Sequence, residues 1–94
     1  MTGNPETKHD TVGYYAVIRS PKSGVYWSVY SPSAAGLQED LTRKKALEWE
    51  VLAQYVDVKN GTGTKITRAV DELNRRMSEI DPAQAKKYLE KLLD

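Results

Sequence analysis

Apolar and aromatic positions alternate with polar ones in two neighbouring runs, Gly13 to Arg19 and Val25 to Tyr30, separated by Pro21-Lys22-Ser23-Gly24. A period of two is that of a strand with unlike faces, and a Pro with a following Gly supplies the preset φ and the left-handed residue that close a short loop. The pattern predicts an antiparallel hairpin. With Ser20 opposite Val25, the pairs follow by counting: Arg19 with Tyr26, Ile18 with Trp27, Val17 with Ser28, Ala16 with Val29, Tyr15 with Tyr30. Val12, Tyr14, Ala16, Ile18, Val25, Trp27 and Val29 share one face, expected to be the core face. Tyr15, Val17, Arg19, Tyr26, Ser28 and Tyr30 share the other, expected to look outward with Lys22 at the loop tip.

Further along, the period lengthens. Ser31 to Gly36 reads as a small-residue connection, and Leu37 to Asp40 as either a short third strand or the start of a helix. Leu41 to Tyr55 reads as helix with Asp40 or Thr42 as N-cap, its apolar arc formed by Leu41, Trp49, Val51, Leu52, Ala53, Tyr55 and Val56. That arc is expected to pack on the Trp27 face. Val56 to Thr67 fits a second hairpin turning at Asn60-Gly61 somewhat better than a plain loop between helices. Thr67 to Ile80 is amphipathic, with Ala69, Val70, Leu73, Met77 and Ile80 in one stripe and Asp71 and Glu72 four residues before Arg75 and Arg76. A last helix follows, with Asp81 as cap, Pro82 at the first position, Gln84 at the capping-box position and a stripe of Ala85, Tyr88, Leu89, Leu92 and Leu93.

These elements amount to a small α+β protein, a hairpin covered by about three helices. The 94 residues make one domain, with 1–10 expected as a flexible polar tail and 11–94 as the folded unit. The 39% hydrophobic and 29% charged composition is that of an ordinary globular chain. No apolar run approaches the ~20 residues of a membrane-spanning helix, and the first ten residues lack the apolar centre of a signal peptide, so the expectation is cytoplasmic.

Composition also narrows the chemistry. The chain has no cysteine and one histidine, His9, which removes thiol catalysis and thiolate metal sites and leaves the histidine in the tail without an orienting partner. The close acid pairs, Glu39 with Asp40 and Glu48 with Glu50, do not converge as a catalytic or metal-binding pair should, the second pointing to different faces of the expected helix. No enzyme activity, metal or cofactor is expected. Gly61-Thr62-Gly63-Thr64-Lys65 lacks the spacing of a phosphate-binding loop. Arg43-Lys44-Lys45, near the start of the expected helix, reads as a solvated face whose charge opposes the helix dipole. A net charge of +1 gives no global field toward nucleic acid or anionic lipid.

What remains is binding. Tyr15, Arg19, Lys22, Tyr26 and Tyr30 on the outward hairpin face combine phenol rings with cations. Such a surface suits a protein partner, since Tyr and Arg dominate interface hot spots, or single-stranded nucleic acid, whose bases stack on aromatics. Tyr14-Tyr15-Ala16-Val17, Gly24-Val25-Tyr26 and Ala46-Leu47-Glu48-Trp49 together resemble the small hybrid-binding domain attached to some ribonucleases H, over about residues 14 to 52. That resemblance implies nucleic-acid contact. Thr67 to Leu73 is similar to recognition helices of winged-helix regulators, although Asp71 and Glu72 would meet phosphates unfavourably. Near-zero net charge, a short chain and two amphipathic helices favour a non-enzymatic protein-binding module, a regulator or inhibitor of a larger complex, acting as a monomer or weak dimer.

Overall fold

The structure, a computed structural model, describes residues 13–57 and 61–92. The expected tail with His9, and Val12, Asn60 and Leu93, lie outside the described residues. The chain runs β1 (Gly13–Arg19), β2 (Tyr26–Ser31), α1 (Ala34–Ala46), β3 (Glu50–Asp57), α2 (Thr62–Arg75) and α3 (Pro82–Glu90). The strands form one antiparallel sheet in the order β2-β1-β3, so the fold is a small α+β domain with β1 central.

The β1–β2 hairpin has the expected register, from Tyr15 opposite Tyr30 to Arg19 opposite Tyr26. Gly24 takes a φ of 80°, and its N–H donates to the Ser20 carbonyl at 2.8 Å, closing the loop as the turn residues predict.

The faces are distributed differently from the expectation. Helices cover both sides of the sheet. Leu37 and Leu41 of α1 pack on Ala16 and Ile18, with Tyr14, Val29, Trp49 and Val51 around them. On the opposite face α2 and α3 bring Ile66, Ala69, Val70, Leu73, Ala85 and Leu89 against Val17 and Tyr26. That second, larger core is the face expected to look outward. Tyr26 is 1% exposed and Trp27, assigned to the core from its alternation, is 57% exposed. The reason is geometric: β2 is an edge strand, and Trp27 stands in an open groove between it and the second half of α1.

The expected helix over Leu41 to Tyr55 is instead the end of α1 followed by β3. Ser33, rather than Asp40 or Thr42, caps α1, its hydroxyl accepting from the Gly36 N–H at 3.0 Å, so Leu37 to Asp40 are helical. The helix stops through two crossed bonds, Glu48 N–H to the Lys45 carbonyl at 2.9 Å and Trp49 N–H to the Lys44 carbonyl at 3.0 Å. Glu48 sits at φ 71°, a left-handed position usually held by glycine. Arg43, Lys44 and Lys45 therefore occupy the last turn of α1, where cations complement the dipole, and not its first.

β3 carries a register shift opposite Val17/Ile18. Val51 pairs with Ile18 and Ala53 with Val17, so Leu52 is the extra residue of a bulge. Both Leu52 and Ala53 join the α2–α3 core, and the bulge breaks the period of two that would have marked the strand.

The second hairpin is absent. Thr64 and Ile66, its expected return strand, lie in α2, which begins after Gly61 at φ 108°. Gly63 in the first turn of α2 faces the Tyr15 phenol: a Cβ there would stand 2.5 Å from the Tyr15 hydroxyl. Its smallness serves sheet packing. The ion pairs on α2 and the turn after it are Arg75 with Glu72 and Arg76 with Glu79, in place of the expected i, i+4 pairs. α3 starts as the sequence predicts, with Asp81 Oδ1 accepting from Gln84 N–H at 2.8 Å and Gln84 Oε1 accepting from Asp81 N–H at 3.0 Å.

Candidate functional site

The five residues expected to form one binding face do not form one. Tyr26 is buried beneath α2. Tyr15 is half-buried, its ring 4.9 Å from that of Tyr30 at 50° between planes. Arg19 is engaged across the sheet, its Nη1 donating to Glu50 Oε1 at 2.8 Å. Lys22 is exposed at the hairpin turn. Of the five, Tyr30 alone is an exposed ring, at 51%.

A different surface brings together two of the exposed large apolar side chains, Trp27 and Leu47. Trp27 at 57% and Leu47 at 64% line one groove of about 520 Å³ with Ser28, Val29, Tyr30, Asp40, Arg43 and Lys44, while the Tyr30 ring lies against Tyr15 on the other face of β2. The strand positions come from the outer edge of the sheet and the others from the second half of α1. Arg43 Nη1 holds Asp40 Oδ1 at 2.7 Å, and Lys44 Nζ stands 5.4 Å from the Trp49 ring centroid. Asp40 and Arg43 lie one helical turn apart, which places the pair along the lip of the groove.

On the other side of the same edge a smaller hollow of about 200 Å³ is lined by Tyr26, Trp27, Ser28, Thr67, Val70, Asp71 and Asn74. Asn74 makes two bonds with the backbone of Tyr26: the Tyr26 N–H donates to Asn74 Oδ1 at 2.8 Å, and Asn74 Nδ2 donates to the Tyr26 carbonyl at 3.0 Å. An amide side chain thus takes the place of a neighbouring strand at the start of β2.

Sequence reasoning places Trp27 in the core and singles out neither Leu47 nor Asn74. Trp27 was placed by alternation, which tells that two faces differ but not how far a helix covers them. Leu47 stood inside an expected helix, and Asn74 is one polar position among many on α2.

Among the described residues, no group of His, Cys, Asp or Glu is arranged to hold a metal ion, and no helix is long and apolar enough to cross a membrane. The Tyr55 phenol is strongly displaced, pushed up to about 12 by burial first and by Glu90 and Tyr88 second. Its hydroxyl donates to the Leu89 carbonyl at 2.6 Å, tying β3 to α3. That is a structural role. No known family model, curated protein or solved structure matches the chain.

Proposed function

We infer that the chain is a non-enzymatic protein-binding module, of the kind that regulates or inhibits a larger complex, and that it engages its partner along the β2–α1 edge. The observation that supports this reading is the pair Trp27 and Leu47, each more than half exposed and lining one groove between β2 and α1. Large apolar side chains gathered at one surface lose water contact on association, and aromatic anchors with a polar rim are the usual makeup of an interface.

Stacked bases with phosphate contacts would use the same residue types. Here Arg43 is paired with Asp40, so this lip carries a net single positive charge, enough for one carboxylate and too little for a run of phosphates. With a net charge of +1 the chain offers little to a phosphate backbone, which favours a protein partner.

The test is panning of a random heptapeptide display library on the purified protein and on Trp27→Ala. Enrichment of peptides that bind the natural chain, fail on the variant and change little in affinity between low and high salt is the expected result. Tight binding of oligothymidylate or oligouridylate with a steep loss in salt would instead make nucleic acid the target.

A further inference from the structure

Resting on that reading, we propose that the partner is bound as an added strand. An extended segment of another protein pairs with the outer edge of β2 at Ser28 and Tyr30, with acidic and apolar side chains at the positions facing α1.

The direction of the β2 backbone groups follows from two independent bonds. The Ser20 N–H donates to the Val25 carbonyl at 2.9 Å, so Val25 faces β1, and in an antiparallel ladder Trp27, Val29 and Ser31 face β1 with it. Tyr26, Ser28 and Tyr30 then face away. Asn74 bears this out at Tyr26, where its amide meets both outward groups. Among the described residues no bond is made to the outward N–H and C=O of Ser28 or Tyr30, and β2 is an edge of the sheet. Unpaired edges of this kind template a further strand.

The edge also lies between two lips. Asp40, Arg43, Lys44 and Leu47 of α1 and its cap stand on one side, and Thr67, Val70, Asp71 and Asn74 of α2 on the other. Side chains of an added strand alternate between the two. Asn74 closes one end of the site by occupying Tyr26. Pro32, which has no N–H, follows β2 at the other end.

Charge selects the occupant. The α1 lip carries two cations and one acid, which suits a carboxylate on the incoming strand. A second copy of this chain would pair about a two-fold axis, placing α1 beside α1 and Arg43 and Lys44 against their own counterparts, with like charges converging.

The proposal is tested with a heptapeptide selected on the natural chain, synthesised in two series with N-methyl groups at odd or at even backbone amides. One series is expected to lose affinity about tenfold or more while the other binds normally, because only alternate amides reach the β2 edge. Ser28→Pro, which removes an outward donor and leaves the β1 ladder intact, is expected to weaken binding similarly. On the natural chain, the Ser28 and Tyr30 amides should gain protection from hydrogen exchange when the peptide is added.

Equal effects of both methyl series, with unchanged exchange at Ser28 and Tyr30, would overturn strand addition while leaving protein binding in place. Selection of peptides with Lys or Arg facing α1 would overturn the charge assignment. Protection of the same amides that rises with protein concentration and no peptide would show a second copy as the occupant. A library that yields no Trp27-dependent binder would overturn the module reading and this proposal together.

Discussion

Tyr26 and Trp27 are consecutive residues with opposite surroundings. The first is enclosed by Val17, Val70 and Leu73, and the second stands more than half in solvent. Tyr26→Ala is expected to cost about 3–5 kcal/mol in denaturant unfolding, and Trp27→Ala less than about 1 kcal/mol, because only the first opens a cavity. Tyr55 adds a dependence on pH. Its folded-state pKa of about 12 lies above the ordinary phenol value of 10.0, so as pH rises the unfolded chain loses this proton first. The stabilisation is complete below pH 10 and is lost as pH climbs through about 12. Tyr55→Phe removes the bond to the Leu89 carbonyl, which is expected to cost about 1 kcal/mol at neutral pH. The variant should also show a shallower alkaline loss of stability than the natural chain, measured by urea unfolding across that range.

Among the elements, the hairpin and α3 were legible because their signals are local. Pro21 and Gly24 set the loop, and Asp81, Pro82 and Gln84 mark a helix start whatever the rest of the chain does. Asp81→Ala is expected to lower stability by about 1 kcal/mol through loss of the cap. The boundary between α1 and β3 was not legible. Its stop is a left-handed Glu48 with no glycine to announce it, and the Leu52 bulge merges a strand's alternation into what reads as a helical arc. Glu48→Gly is expected to raise stability by about 0.5–1 kcal/mol in thermal or urea unfolding, as relief of the left-handed backbone outweighs the added freedom of the unfolded chain.

For the whole molecule, the sheet depends on being covered from both sides. α3 lies over β3 and reaches Leu52, Ala53 and Tyr55, so a chain ending at Ile80 would leave that side of the core in water. Loss of cooperative thermal unfolding, followed by near-ultraviolet circular dichroism, is the expected outcome of that truncation. Alternation, turn chemistry and caps, all read within a few residues, determined the α+β class, the hairpin register and the start of α3. Which hairpin face became the larger core, and that Trp27 with Leu47 would line an open groove, were decided by where α1, α2 and α3 settle. Those placements depend on contacts between residues far apart in the chain, where both faces of the hairpin are apolar enough to be buried and only the helices choose between them.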